Sequence, residues 1–246
     1  MTNDAGNAAG VSGGEALPLV LVPGYMLDET LWDALRPELG TRKLRHVPLG
    51  SAATIAAMAR EALDASPQGR FNLLGFSMGG YVAREMARQA PERVHSLILV
   101  ATSSRADTPL QISQRQAAAR AKPIGPFRGL GRAAIIQSLH PAHAADEALI
   151  AQVRAMGARL GREVFVQQSM IVRDSDADRL AAVRCPTLVI AAAQDQMRSA
   201  DEARELAAGI PGARLEFIED AGHMIPLEQP GRLAQVIEAW RAARAS

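Results

Sequence analysis

Gly75-Phe76-Ser77-Met78-Gly79 fits G-x-S-x-G, and it sits between an apolar run, Phe71 to Leu74, and a segment from Met78 to Gln89 with helical spacing. A serine at a tight strand-to-helix turn is held in a strained backbone conformation that pushes its hydroxyl above the sheet. The helix that follows aims free N–H groups and the positive end of its dipole at any negative charge forming there. The chemistry this suits is nucleophilic attack by Ser77 on a carbonyl carbon, with Met78 N–H as an oxyanion donor. A glycine-rich junction also occurs where glycines serve only packing; the strand before, the helix after and the additional Gly80 favour the nucleophile.

A serine hydroxyl needs a base to take its proton as it attacks, most often histidine. Of five histidines, His46 and His95 fall in or beside strands, and His140 and His143 in a helical region. His223 stands in Asp220-Ala221-Gly222-His223-Met224, after the last predicted strand and before the last helix, on a loop that can lean over the strand ends. The base in turn needs a carboxylate to fix its tautomer. Asp195 directly follows the apolar run Thr187 to Ala192, which puts it at a strand's carboxyl end, and the chain order Ser, Asp, His is then satisfied. Asp220 and Asp201 are the alternatives. Glu228 is expected to tie the histidine loop to the final helix.

These groups must be positioned by a sheet. Leu19 to Val22 reads as a buried strand stopped by Pro23 and Gly24. Asp28 or Thr30 caps a helical segment carrying Leu31, Trp32, Leu35 and Leu39, interrupted near Pro37. Arg45 to Leu49 is a second strand, and Ile55, Met58, Ala59, Ala62 and Leu63 mark one helix face. Strand 71–74, helix 78–89 and strand 97–101 continue an alternation that implies a mostly parallel sheet with helices on both faces. From Arg105 to Arg179 the spacing is helical with no strong β run, an insertion. The alternation resumes with strand 187–192, a helix near 200–208, strand 214–218 and a helix from about 231 to 244.

Length and composition limit the possibilities. A chain of 246 residues fits one large domain, and 27 basic against 26 acidic residues give a net charge of +1, so no overall field draws it to nucleic acid. Cys185 is the only cysteine, which precludes an intramolecular disulfide or a thiol-based metal cluster. Residues 1–16 read as a flexible leader without signal-peptide character, no stretch is apolar enough for a membrane span, and a cytoplasmic location is expected. No dinucleotide-binding glycine turn or metal-ligand spacing is evident, so neither cofactor nor metal is expected.

Taken together, Leu21-Val22-Pro23-Gly24-Tyr25, Gly75-Phe76-Ser77-Met78-Gly79-Gly80, the run Leu188 to Asp195, and Ala221-Gly222-His223 with Glu228 and Pro230 give a chain that resembles the α/β-hydrolase fold superfamily, its small esterase-like members in particular. The resemblance covers about residues 17 to 244. It implies a triad of Ser77, Asp195 and His223, and Tyr25 N–H as second oxyanion donor with Met26 N–H as fallback. Pro23 replaces the family's usual histidine before Gly24, without consequence for a main-chain donor. Ala192 and Ser199 also depart from the usual glycine and proline around the acid.

The resemblance makes 105–179 a helical lid and implies hydrolysis of a small-molecule carboxylic ester, thioester or lactone through an acyl-enzyme on Ser77. Trp32, Phe127, Met197, Met224 and Ile225 are the expected substrate-contacting residues. Six basic residues between 105 and 132 (Arg105, Arg115, Arg120, Lys122, Arg128, Arg132) face one acid, Asp107. They suit either an anionic or carrier-linked substrate or a solvated helix face. Carbon–carbon hydrolysis, cofactor-free perhydrolysis, lyase chemistry and a non-catalytic ligand-binding role are the rival functions for the same fold.

Overall fold

The computed structural model describes residues 17–40, 43–122 and 125–244; the expected leader lies outside them. Six strands, β1 (Leu19–Val22), β2 (Leu44–His46), β3 (Phe71–Phe76), β4 (Val94–Val100), β5 (Thr187–Ala192) and β6 (Arg214–Ile218), form one sheet in the order β2-β1-β3-β4-β5-β6. Every pairing is parallel. Parallel strands need crossovers, and crossovers cover both faces, which is why β1, β3 and β5 are buried along their whole length and read as unbroken apolar runs.

Alternation along each strand divides the interior in two. Leu19, Leu21, Leu74, Phe76, Ile98, Val100, Leu188 and Ile190 point to one face, where α1 (Leu35–Glu38), α8 (Ile225–Glu228) and α9 (Pro230–Ala242) pack. Val20, Val22, Leu73, Leu97, Leu99 and Val189 point to the other, under α2 (Ile55–Ala65), α3 (Met78–Gln89) and α7 (Ala200–Gly209). The strands begin or end up to three residues from the expected limits. The segment expected as one helix before α1 is instead a 3₁₀ turn, Glu29–Trp32, capped by Asp28, followed by the short α1.

The strand order reverses between β1 and β3, so the chain leaves their carboxyl ends in opposite directions and opens a crevice there. Ser77 follows β3 and Tyr25 follows β1, so both sit at that point.

Between β4 and β5 the insertion contains α4 (Pro109–Arg120), α5 (Arg132–Ser138), 3₁₀ turns at Pro141–His143 and Ala177–Ala182, and α6 (Glu147–Met170), with no strand among the described residues. α6 breaks at Gly161, whose φ of 82° and ψ of 174° are non-helical. The two ends of the insertion are joined at a neck. Asp107 N–H donates to Arg173 O (2.9 Å) and Asp176 N–H to Ser104 O (3.0 Å). Asp107 accepts from the backbone and guanidinium of Arg173 and from Arg115 at 2.7 Å. Arg84 of α3, wholly buried, clamps Asp176 with two bonds of 2.8 and 2.9 Å and also donates to Ser103 O.

Burial would raise the Asp107 carboxyl, but the Arg173 and Arg115 hydrogen bonds prevail and lower it from 3.8 to about 2. A carboxylate depressed by folding stabilises the native state above its ordinary value and loses that contribution as pH falls through its folded value. Asp107→Asn should therefore cost about 3 kcal/mol at neutral pH, since it leaves the buried Arg173 and the partly buried Arg115 without their shared counter-charge. Urea unfolding is the measurement. The difference between wild type and variant should shrink as pH falls from 3.8 toward about 2.

Candidate active site

Ser77 carries φ 53° and ψ −116°, a backbone conformation rare for any side chain. The strain is held from both sides: Ser77 N–H donates to Val100 O (2.9 Å), and Thr102 Oγ1 donates to Ser77 O (2.8 Å). Ser77 is also the N-cap of α3, where a serine hydroxyl ordinarily accepts from the first turn. Here it makes no capping bond; Oγ instead lies 2.8 Å from His223 Nε2. Gly79 is required by close approach: a Cβ there would stand 2.3 Å from Pro23 O, so the loop after β1 rests directly on the first turn of α3.

His223 follows β6 on a loop that includes Asp220 in the left-handed region, and its Nδ1 lies 2.7 Å from Asp195 Oδ2. With Nδ1–H donating to that carboxylate, Nε2 is left to accept from Ser77. Asp195 Oδ1 accepts Met197 N–H (2.7 Å) and Arg198 N–H (3.0 Å). Burial alone would raise the Asp195 carboxyl, but the charge and hydrogen bond of His223, together with those two N–H groups, hold it below the usual aspartate range. The Phe76 ring packs against the imidazole at 5.3 Å between centroids.

Neither alternative carboxylate is bonded to His223 among the described residues. Asp201 pairs with Arg204 on the exposed side of α7, and Asp220 contributes its backbone carbonyl to Gln229. His46 accepts from Trp32 Nε1 (3.3 Å), and His95 is bonded to Arg70.

Among the described residues, neither Tyr25 N–H nor Met78 N–H has an acceptor. Met26 N–H, the fallback oxyanion donor, is occupied: it donates to Gln168 Oε1 at 2.8 Å. The expected substrate contacts divide. Trp32, Met224 and Ile225 are packed into the core, Trp32 edge-on to Phe76, because the sheet face beneath the site needs filling. Met197 is 42% exposed, and its backbone N–H is what engages the site. Phe127 packs on Phe165 (5.1 Å between centroids) in a cluster that includes Met26, against the loop after β1.

The basic excess is also reduced. Arg105 pairs with Glu205, Arg115 with Asp107 and Arg132 with Glu147, two of these acids lying beyond the basic stretch.

Sequence reasoning gave Glu228 only a tie to the final helix. Its wholly buried carboxylate instead accepts Gly222 N–H (2.9 Å), His140 N–H (2.6 Å) and His143 Nδ1 (2.9 Å), joining the histidine loop to the insertion. Gly222 permits this: a Cβ there would meet His140 N at 2.3 Å. Gln168 and Ser169, which contact the Tyr25–Met26 loop, were not anticipated, since nothing in the local pattern of α6 distinguishes them.

The family model for the alpha/beta hydrolase fold matches residues 24–230, and the chain belongs to that family. A pimeloyl-[acyl-carrier protein] methyl ester esterase of Aromatoleum aromaticum is 29% identical over an alignment of 255 positions, covering 89% of this chain and 96% of its own. A thermophilic esterase from Thermogutta terrifontis, solved with malate bound, superposes with a TM-score of 0.80 at 32% identity, covering 94% of this chain and 91% of that one. A hydrolase from Pseudomonas aeruginosa gives 0.77 at 30% identity, covering 91% and 89%. Family and relatives together support ester-type hydrolysis as the activity class.

Glu228→Gln tests the clamp on the histidine loop. An amide presents N–H groups where the carboxylate accepts at both oxygens, so one donor among Gly222, His140 and His143 loses its partner. We expect a loss of about 2 kcal/mol in urea unfolding, and a fall in any turnover that depends on His223.

Proposed function

We propose that this protein is a serine hydrolase that cleaves a small carboxylic ester, thioester or lactone through an acyl-enzyme on Ser77. The observation that carries the reading is the continuous chain Asp195, His223, Ser77, with contacts of 2.7 and 2.8 Å, at a strained elbow beside two unengaged N–H groups. His223 Nε2 takes the Ser77 proton as Oγ bonds to the substrate carbonyl carbon. The carbonyl electrons move onto oxygen, where Tyr25 and Met78 N–H groups stabilise the charge. The protonated His223, stabilised by Asp195, gives its proton to the leaving alcohol or thiol as that bond breaks. Water then attacks the acyl-enzyme with His223 again as base, releasing the acid and restoring Ser77.

The insertion serves as a lid in this reading, with the Phe127–Phe165 cluster as an apolar wall for the acyl part. The esterase relatives support an ester as substrate, and the carrier-linked ester of one of them makes a carrier-bound acyl group a candidate. Of the six basic residues between 105 and 132, Arg105, Arg115 and Arg132 are paired, which leaves Arg120, Lys122 and Arg128 without an ion pair among the described residues as the contacts for such an anionic carrier.

A panel of p-nitrophenyl esters, thioesters and lactones of graded acyl length is the test. Ser77→Ala and His223→Ala should each lower kcat/KM by about 10⁴-fold or more on every substrate turned over. A fluorophosphonate should add one label, on Ser77, by intact mass. Near-full turnover by Ser77→Ala would sink the proposal. Labelling without turnover anywhere on the panel would favour the non-ester chemistries, and failure to label would favour a ligand-binding role.

A further inference from the structure

Gly24 to Leu27 forms a turn closed by Leu27 N–H to Gly24 O at 3.3 Å, with Tyr25 and Met26 as its central residues. Met26 has φ 56°, the left-handed value that the third position of a type II turn requires and that glycine or asparagine usually supplies. Methionine there must be held. Two adjacent residues in the last turn of α6 do so. Gln168, 3% exposed, accepts Met26 N–H at 2.8 Å, and Ser169, 1% exposed, shares a 2.6 Å hydrogen bond with the Tyr25 hydroxyl. Burial raises the Tyr25 phenol above its ordinary range despite the Ser169 bond and the charges of Arg115 and Arg173, so the hydroxyl keeps its proton.

We infer that Gln168, supported by Ser169, is a positioning residue for the oxyanion hole: it fixes the Tyr25–Met26 peptide and thereby commits Tyr25 N–H to the substrate. The inference rests on Ser77 being the nucleophile. An N–H group is pre-aimed only if the Cα that bears it cannot turn. At Tyr25 the side chain is fixed by Ser169 and the following peptide by Gln168, which leaves the preceding N–H, without an acceptor, as the loop's available donor. If the Tyr25–Met26 peptide flipped, a carbonyl oxygen would face Gln168 Oε1, and the turn would lose the bond that holds Met26 in its disfavoured conformation. Because both anchors stand on α6, the hole is complete only while the insertion is seated.

The test replaces Gln168 by methionine, close in shape but without an acceptor. Three quantities are read: the rate of Ser77 labelling by a fluorophosphonate, kcat and KM for p-nitrophenyl acetate, and inhibition by phenylboronic acid, which forms a tetrahedral adduct on the serine. A misplaced oxyanion donor weakens the transition state and its analogue together and spares ground-state binding. Labelling rate, kcat and boronic acid affinity should each fall about tenfold while KM stays within about twofold.

Unchanged labelling, or a change confined to KM, would overturn the inference. So would a fall in kcat with boronic acid affinity intact. If Gln168→Met does not fold, Ser169→Ala carries the same readouts with an expected loss of about threefold in labelling rate and boronic acid affinity, and no loss overturns the inference equally. A wild-type protein that is not labelled at Ser77 removes the underlying reading and this one with it.

Discussion

The contact between His223 and Ser77 joins residues 146 positions apart, and that between His223 and Asp195 joins residues 28 apart. No local preference brings such groups within 3 Å; a rigid frame must do it. The frame is the parallel sheet, whose strands all deliver their following loops to the same end. β3, β5 and β6 thus deliver Ser77, Asp195 and His223 at the same end of the sheet without any loop having to travel. The positive φ of Ser77 depends on that arrangement. A strained residue persists only where its surroundings over-determine it, and here Val100 O, Thr102 Oγ1 and the Pro23 carbonyl pressed against Gly79 leave the turn no other path. The same strain withholds the hydroxyl from capping α3 and leaves it for the imidazole.

Charge is arranged so that the site and its supports do not compete. Asp195 is almost wholly buried, yet its oxygens are fully engaged, one by His223 and one by two backbone N–H groups, so it remains a carboxylate able to stabilise a charged imidazole. Asp107 and Asp176 do structural work of a different kind. Each gathers buried guanidiniums at the neck of the insertion, and their net effect is to fasten residues 103–107 to residues 173–176. Pairs of this kind add little over an apolar core of the same shape, but removing one partner is costly, so they specify where the neck closes.

Most of the frame was legible in the sequence because its strands are buried on both faces. Leu19 to Val22, Phe71 to Leu74 and Thr187 to Ala192 have no polar face to blur them, and five of the six strands lie where the apolar runs are. Arg45 to Leu49 was overextended because only Leu44 to His46 pairs with β1. Ser77 and His223 could be singled out in the sequence because a nucleophile and its base restrict the residue types around them, and the structure brings the two to 2.8 Å. Asp195 needed the strand before it, since Asp201 and Asp220 are also aspartates and both stand nearer to His223 in the chain. The substrate contacts were the least legible. Trp32, Met224 and Ile225 have the composition of a pocket wall, but apolar residues beneath an active site and apolar residues within it look alike, and only packing separates them.

What the sequence concealed was how the insertion is attached. The basic excess between 105 and 132 suggested a charged surface, but the acids that neutralise much of it are distant in the chain, and pairing across such distances has no periodic trace. Several tethers run from the insertion to the body near the site, among them Glu228 to His140 and His143, Gln168 to Met26, Ser169 to Tyr25, and Arg159 to Asp28 at 2.7 Å. They are not equivalent. Arg159 is half exposed in its pair with Asp28, and an ion pair open to solvent on one side contributes little to holding the insertion in place. Glu228 and Gln168 are buried, and their bonds end on the backbone beside His223 and beside Tyr25, the base and a donor of the proposed mechanism. The insertion is therefore bonded to both sides of the site: α6 holds the turn that bears Tyr25, and the segment after α5 is joined through Glu228 to the loop that bears His223. An insertion attached in this way is bonded to the body at the two loops that carry Tyr25 and His223.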